Sequence, residues 1–223
     1  MNLHELGIKH GTDKTDKYHS FRGNSYLDIY EKYFSSIKDE RLNILEIGSY
    51  GGNSLRLWKE YFSNASIYGI DIDPNCKNLE EERVKIFIGS QDDNSFLQGV
   101  VDECGTFDII IDDGSHINDL TLASYNFLIN HVNQGGLYIM EDLHCSYEDL
   151  TNAYWGTGWD INKDKGVKLD NERRTVDDHF VKMLHEIDHG TRRENDEDHR
   201  LEKDKMTPIQ SLHFYCQLAI VVK

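Results

Sequence analysis

One stretch holds the side chains best suited to chemistry: a largely apolar run that ends in two carboxylates, a glycine and a histidine. The run 107–111 carries three consecutive isoleucines and leads into Asp112, Asp113 and His116. A short β-branched run of this kind predicts a strand buried on both faces, as in a parallel sheet. Its polar residues then fall at the carboxyl end of the strand, where open α/β sheets bind ligands.

A second stretch repeats this arrangement, since a glycine turn and an apolar run at 135–140 lead into Glu141 and Asp142. If the two strands are neighbours, their ends lie roughly 5 Å apart. The four carboxylates of the two stretches would then converge, and they cannot all stay ionised without a cation or raised pKa values. Ligand sets made only of oxygen suit hard cations such as Mg²⁺. The alternative is that one acidic pair caps a helix and the other lies in a solvated loop.

A strand, a glycine turn and a helix at 42–62 are typical of the nucleotide-binding start of a doubly wound sheet. The turn contains Gly48 and Gly51, and glycines let the backbone approach a ligand closely. Asp71 ends the next predicted strand, about 20 residues after Gly48, where an acid accepts hydrogen bonds from ribose hydroxyls. The turn lacks the complete glycine pattern of dinucleotide sites, so the combination favours an adenosyl ligand. A helix cap is the alternative role for Asp71.

Strands and helices alternate from residue 42 to residue 141, which predicts an α/β fold with a parallel, doubly wound sheet and right-handed crossovers. An amphipathic helix is expected before the sheet, at about 21–36, and Thr12 or Asp13 is a candidate helix N-cap. An antiparallel pair is expected to close the sheet. The predicted strands lie at 42–48, 66–70, 84–88, 107–111, 135–140, 209–216 and 218–222, and the predicted helices of the sheet region lie at 55–62, 94–104 and 120–132.

Composition narrows the classes of partner. The chain has 223 residues and a formal net charge of −16, which argues against nucleic acid and against anionic membranes as partners. There is no apolar run of membrane-spanning length and no signal-like N-terminal region, and the four cysteines form no C-x-x-C pair. These features predict a soluble, cytoplasmic protein with reduced thiols.

Taken together, these residues resemble the metal-dependent sugar O-methyltransferases of the macrocin and mycinamicin type, which are class I S-adenosylmethionine enzymes. The resemblance covers about residues 7–147 and the closing strands. The motifs that carry it are Gly11-Thr12-Asp13-Lys14, Leu45-Glu46-Ile47-Gly48, Gly69-Ile70-Asp71-Ile72, Gly89-x-Gln91, Ile111-Asp112-Asp113-Gly114-Ser115-His116 and Glu141-Asp142-Leu143. It implies a mostly parallel, seven-stranded, Rossmann-like sheet of order 3-2-1-4-5-7-6, with the last strand antiparallel.

The resemblance also implies the roles of the site residues. S-adenosylmethionine and Mg²⁺ or Mn²⁺ are the expected cofactors, with Asp113, Glu141 and Asp142 as metal ligands. His116 is the expected general base and His144 a second candidate, so the candidate catalytic residues are His116, Asp113 and His144. The candidate cofactor-binding residues are Thr12, Glu46, Gly48, Ser54, Asp71, Ser90, Gln91 and Asp112.

The chemistry supports these roles independently. A sugar hydroxyl has a very high pKa, which a bound metal lowers. An imidazole with a pKa of about 6.5 can then take the proton near neutral pH. His116 follows Asp113 by three residues, so both side chains can face one cavity; its alternative role is to cap a backbone group at a helix start.

The expected organisation is one domain with a helical cap, a cofactor-binding core, an insertion that shapes the acceptor site, and closing strands. These parts lie at 1–40, 42–142, 143–208 and 209–223. In the insertion, Tyr154, Trp155 and Trp159 could stack on a sugar or line an aromatic slot. The pattern H-E-x-x-H at 185–189 is typical of zinc proteases, but a charge inside it and a glycine directly after it argue against a zinc site.

The expected substrate is a small-molecule sugar or nucleotide-sugar hydroxyl, and the expected assembly is a homodimer or a higher homo-oligomer. A metal-dependent catechol-type O-methyltransferase is the alternative within the same class. A nicotinamide-dependent oxidoreductase would share the strand, the glycine turn and the ribose acid, but would not need the carboxylate cluster. A non-catalytic nucleotide-binding protein would bind no metal there.

Overall fold

The computed structural model describes residues 1–15, 24–146 and 209–223, which fall into two compact units, Met1–Gly114 and Ser115–Lys223. The strands are β1 (Asn43–Ile47), β2 (Ser66–Asp71), β3 (Val84–Ile88), β4 (Phe107–Asp112), β5 (Val132–Met140), β6 (Ser211–Tyr215) and β7 (Leu218–Val222). The α-helices of the described residues are α1 (Leu3–His10), α2 (Tyr26–Phe34), α3 (Asn53–Tyr61), α4 (Asn94–Cys104) and α5 (Asn118–Leu128). Short 3₁₀ helices lie at Pro74–Leu79, Ile129–His131 and Leu143–Ser146.

The first unit contains the four parallel strands. β1 pairs with β2 on one side and with β4 on the other, and β3 pairs with β2. Ile47 pairs with Ile70 of β2 and with Asp112 of β4, so the carboxyl ends of these three strands finish level. The isoleucines of β4 are completely buried, as the sequence predicts for a strand covered on both faces.

The second unit contains the antiparallel strands. β7 lies between β5 and β6 and runs antiparallel to both, which confirms the predicted closing pair. The strand order is β3-β2-β1-β4-β5-β7-β6, as the resemblance implies. The fold is therefore the predicted α/β fold with a mostly parallel, seven-stranded sheet.

The N-terminal residues differ from the prediction. Leu3–His10 is a helix with Asn2 and Glu5 as a capping box, and Gly11 ends it in the left-handed conformation. Thr12 and Asp13 therefore follow a helix, and neither caps one within residues 1–15. The next helix of the described residues, α2, is capped by Ser25.

Aromatic side chains join α2 to α3. The rings of Tyr30 and Phe34 stack with centroids 5.2 Å apart, and Phe34 meets Trp58 edge-on at 6.0 Å and Phe62 at 5.3 Å. These rings are completely buried, so the two helices share one apolar core. That core holds the N-terminal residues against the helix that begins at the glycine turn.

No helix of the described residues has the length and apolar character that a membrane crossing requires. The pattern at 185–189 and the aromatic residues Tyr154, Trp155 and Trp159 lie outside the described residues. The four-part organisation of one domain stays a prediction.

Candidate active site

The acid at the end of β2 holds the turn that follows β1. One oxygen of the Asp71 carboxylate accepts hydrogen bonds from the backbone N–H groups of Ser49 and Tyr50, both at 2.9 Å. Its other oxygen accepts the Asp73 N–H at 2.9 Å. A carboxylate offers about four lone-pair sites, so Asp71 keeps acceptor capacity for a ribose hydroxyl. The cap of the following 3₁₀ helix is Asp73, so the alternative that Asp71 is this cap is wrong.

Gly48 is required for a reason that the sequence did not reveal. Its φ is +92°, and a Cβ at this position would lie 2.0 Å from the backbone oxygen of Asp113. Glycine therefore allows the turn after β1 to pack on the chain that leaves β4. The expected reason was close approach to a ligand, whereas the group that approaches Gly48 in the structure is protein backbone.

Two apolar side chains beside Asp71 are exposed. Tyr50 lies in the glycine turn with 94% of its surface accessible, and Ile72 follows Asp71 with 74% accessible. Tyr50 also adopts a positive φ of 40°. Neither residue is among the predicted site residues. A signal was present in the sequence: Tyr50 and Ile72 are apolar residues in otherwise polar loops at the carboxyl edge of the sheet.

Asp112 and Gln91 form a buried pair at the end of β4. The Gln91 amide donates to the Asp112 carboxylate at 3.2 Å, and the Gly114 N–H donates to the same carboxylate at 3.4 Å. A Cβ on Gly114 would lie 2.5 Å from the Gln91 side-chain oxygen, so glycine is needed for this contact. Ser90 donates to Asp92 at 2.5 Å beside this pair in sequence. The polar residues after β3 and at the end of β4 are thus joined by a hydrogen bond.

The turn after α1 lies against the start of α3. The Asn53 side chain donates to the Gly11 carbonyl oxygen at 3.0 Å, and the Thr12 hydroxyl accepts the Lys14 N–H at 3.5 Å. Thr12 is buried in this turn. This places the turn that contains Thr12 beside the start of α3, and the role of Thr12 near the cofactor stays a prediction.

Lys14 lies between two carboxylates. Its Nζ is 2.5 Å from an Asp113 carboxylate oxygen and 3.8 Å from Oε1 of Glu46. Lys14 is 1% exposed and Glu46 is completely buried. The other Glu46 oxygen accepts the Ser54 hydroxyl at 2.7 Å, whereas Oε1 has no hydrogen-bond donor among the described residues. The motif containing Lys14 was part of the resemblance, but no sequence pattern indicated that residues 14 and 113 meet.

Burial dominates the electrostatics of this cluster. It raises the pKa of Glu46 to about 7, against the lowering effects of the Lys14 charge and of the Ser54 hydrogen bond. The Asp113 carboxylate adds a raising effect. With Lys14 and both acids ionised, the three side chains carry a formal charge of −1, so a further cation nearby would be stabilised.

The second unit brings two imidazoles to one carboxylate. The Nε2 atom of His116 lies 3.7 Å from one Asp142 oxygen, and Nδ1 of His144 lies 3.8 Å from the other. Glu141, Asp142 and His144 are buried, whereas His116 is partly exposed. His116 and Asp142 both adopt positive φ values, 56° and 54°. Non-glycine residues in this region are uncommon, and such strain concentrates at functional sites.

Besides the Gln91–Asp112 pair, the predicted site residues take part in three groups of contacts. The turn after β1 meets Asp71, Lys14 joins Glu46 to Asp113, and Asp142 lies between His116 and His144. The carboxylates of Asp113, Glu141 and Asp142 are the hard oxygen donors that Mg²⁺ and Mn²⁺ prefer, so the residues present fit such a metal.

Comparisons with known proteins indicate which proteins the chain resembles. No protein-family model matches the chain. Demethylmacrocin O-methyltransferase of Streptomyces fradiae is 37% identical over 172 residues, which are 74% of this chain and 40% of that enzyme. The 8-demethyl-8-alpha-L-rhamnosyl tetracenomycin-C 2'-O-methyltransferase of Streptomyces olivaceus is 32% identical over 225 residues, which are 98% of this chain and 53% of that enzyme.

Among solved structures, the MycE methyltransferase of the mycinamycin biosynthetic pathway, in complex with Mg, SAH and mycinamycin VI, aligns with a TM-score of 0.72. The identity is 29%, and the alignment covers 99% of this chain and 54% of MycE. The strand order and this likeness define a class I methyltransferase fold.

Within that class, the chain is a homologue of the sugar O-methyltransferases of the macrocin and mycinamicin type, which confirms the resemblance. The chain spans about half the length of the curated relatives it matches.

Proposed function

We propose that this chain transfers a methyl group from S-adenosylmethionine to a hydroxyl of a sugar, with Mg²⁺ or Mn²⁺ as the metal. The observation that carries the proposal is the Asp71 carboxylate bound to the glycine turn, in a chain homologous to an enzyme solved with SAH and Mg. An acid fixed at this point next to a glycine turn suits a ribose. The proposal concerns this chain, which spans about half the length of the curated relatives it matches.

The cofactor site is proposed at the carboxyl ends of β1 to β4. Asp71 would accept from the ribose hydroxyls, and the Gln91–Asp112 pair would meet the polar edge of the adenine. Ile72 and Tyr50 offer exposed apolar surface beside Asp71 for the faces of the adenosyl group. The first turn of α3 has no side-chain cap, so its N–H groups suit the carboxylate of the methionine end. The remaining residues proposed here are Thr12, Glu46, Gly48, Ser54 and Ser90.

The metal is proposed to bind Asp113, Glu141 and Asp142, whose oxygens form a hard donor set. When bound, such a metal lowers the pKa of a sugar hydroxyl. Glu141 and Asp142 are buried in succession at the end of β5, and buried charges in proteins are paired or coordinate metals. The two carboxylates therefore fit a cation at this position.

His116 is proposed to take the proton of the acceptor hydroxyl. Its Nε2 points to the Asp142 carboxylate at 3.7 Å, which would stabilise the imidazolium that forms. His116 is partly exposed, so a substrate can reach it. His144 is the weaker candidate because it is buried between Asp142 and Cys145, whose Sγ lies 3.7 Å from the His144 Nε2.

The acceptor is proposed to be a small-molecule glycoside or nucleotide sugar, since the named relatives act on sugar-bearing macrolide and tetracenomycin compounds. A homo-oligomer and a cytoplasmic location stay predictions, and so does the acceptor-shaping role of the insertion. The catechol-type alternative depends on aromatic residues that lie outside the described residues.

Titration calorimetry with S-adenosylhomocysteine, and with NAD⁺ as comparator, tests the cofactor. The wild-type protein should bind S-adenosylhomocysteine at micromolar concentration and should not bind NAD⁺. Asp71→Asn should weaken this binding about 10- to 100-fold, because it replaces an ionised acceptor by a neutral amide. The matched control is Asp73→Asn, two residues away, which should change it less than twofold. Equal binding by the two variants would contradict the proposed ribose contact.

The metal and the reaction are tested next. Mg²⁺ should give a separate heat in wild-type protein that disappears in Asp113→Ala, and methyl transfer to sugar acceptors should stop in EDTA. Failure to bind S-adenosylhomocysteine with or without Mg²⁺ would refute the methyltransferase proposal. Binding of this product without any Mg²⁺ heat would refute only the metal.

A further inference from the structure

We propose that Lys14 is a positioning residue, which fixes the Asp113 carboxylate so that it can bind the metal. This inference rests on the proposed function, because it takes Asp113 as a Mg²⁺ ligand. Lys14 itself does not touch the substrate or the cofactor in this proposal.

The burial of Lys14 requires an explanation. Lysine is almost never fully buried unless it is paired, and its transfer from water is unfavourable without compensating partners. Here the ammonium is 1% exposed and lies 2.5 Å from Asp113 and 3.8 Å from Glu46. A lysine that only packed the turn after α1 against its neighbours could keep its ammonium at the surface, as Lys9 does with its partner Glu60.

The backbone that carries Lys14 is fixed. The Lys14 N–H donates to the Thr12 hydroxyl, and the Lys14 carbonyl oxygen accepts the Leu27 N–H at 3.4 Å. Asn53 binds the preceding turn through the Gly11 carbonyl oxygen. The ammonium therefore approaches Asp113 from a turn that is tied to both α2 and α3.

The backbone of Asp113 is fixed as well, and Lys14 contacts its side chain. The Asp113 N–H donates to the Ile47 carbonyl oxygen at 3.0 Å, and its own carbonyl packs on Gly48. Neither contact selects the carboxylate rotamer. The ion pair with Lys14 engages one carboxylate oxygen and thereby orients the other, which is how partners of metal ligands commonly act.

The test must separate positioning from charge, because removing a cation near a metal site also favours metal binding by Coulomb attraction. The double variant Lys14→Met with Glu46→Gln solves this: the wild-type cluster and the double variant both have a formal charge of −1. It also leaves no buried acid at position 46, so it should fold where Lys14→Met alone does not. The single variant Glu46→Gln retains the ion pair, and Lys9→Met is the matched surface control.

The experiment is titration of Mg²⁺ into each full-length variant by calorimetry at pH 7.5, after circular dichroism has shown each to be folded. The double variant should bind Mg²⁺ about 10- to 100-fold more weakly than the wild-type protein, whose formal charge it matches. Lys9→Met should match the wild-type protein. Mg²⁺ affinity in the double variant equal to or greater than in the wild-type protein would overturn the inference.

S-adenosylhomocysteine binding distinguishes the two possible failures. If wild-type protein binds this product and Mg²⁺ but Lys14 has no effect on the Mg²⁺ affinity, only the positioning role is refuted. If wild-type protein binds no Mg²⁺, the metal part of the proposed function fails and the positioning role fails with it.

Discussion

Replacing Glu46 by glutamine should stabilise the protein at alkaline pH and much less at acid pH. Burial raises the pKa of this carboxyl from 4.5 to about 7 in the folded protein. The folded state therefore binds a proton that the unfolded state releases at lower pH. The stability that the protonated acid contributes is fully present below pH 4.5, and it is lost as the pH rises towards 7.

The size of the effect follows from the difference between the two pKa values. Each unit corresponds to about 1.4 kcal/mol, so ionised Glu46 costs the folded protein roughly 3 kcal/mol above pH 7. Glutamine has the same shape and does not titrate. The free energy of unfolding of Glu46→Gln should exceed that of the wild-type protein by about 2–3 kcal/mol more at pH 8 than at pH 5.

Urea unfolding followed by circular dichroism at pH 5, 6, 7 and 8 measures this difference. The comparison is between variant and wild type at each pH, because other acids also titrate over this range. Glu60→Gln is the control, since Glu60 lies on the surface beside Lys9 and its pKa is lowered. A difference between Glu46→Gln and wild type that stays constant from pH 5 to pH 8 would refute the reasoning.

Two further predictions concern the turn after β1 and the base. Gly48→Ala should destabilise the protein by at least about 2 kcal/mol, because the added Cβ meets the Asp113 carbonyl and the φ of Gly48 is positive. Gly51→Ala is the control: its Cβ has open space, so it should change the urea midpoint little. Similar urea midpoints for the two variants would contradict this prediction. His116→Gln should lower kcat of methyl transfer about 10²- to 10⁴-fold and leave S-adenosylhomocysteine binding unchanged. A larger loss in His144→Gln would reverse the assignment of the base.

The sheet was predictable because local signals there agree with the tertiary structure. β3 and α4 match the predicted ranges at both ends, Val84–Ile88 and Asn94–Cys104. Each is an apolar pattern bounded by turn residues, and Asp93 caps α4. The α3 helix begins two residues before its predicted start, because its N-cap is Gly52, which has no polar side chain to mark it.

The helix α1 was missed because it is short and buries few residues. Only Leu3, Leu6 and Gly7 are buried, so its eight residues read as polar. A signal was nevertheless present. Asn2 and Glu5 have the spacing of a capping box, and Gly11 stands where a helix ends in the left-handed conformation. Giving these cap residues more weight than hydrophobic periodicity would have placed the helix correctly.

In the candidate site, too, local sequence patterns predicted some residues and missed a contact between residues far apart in the sequence. The acids at the strand ends were predictable because the carboxyl ends of parallel strands share one edge, and Asp71 and Asp112 lie there. The contact of Lys14 with Asp113 was not predictable, because the two residues are 99 positions apart in the sequence and no periodicity links them. Burial raises the pKa of Glu46 beside this contact, although the Lys14 charge lowers it. The cluster of Lys14, Glu46 and Asp113 carries one excess negative charge, which is unfavourable in the protein alone and is stabilised by a bound cation. The stability lost by ionising the buried Glu46 is therefore consistent with a cation-binding site.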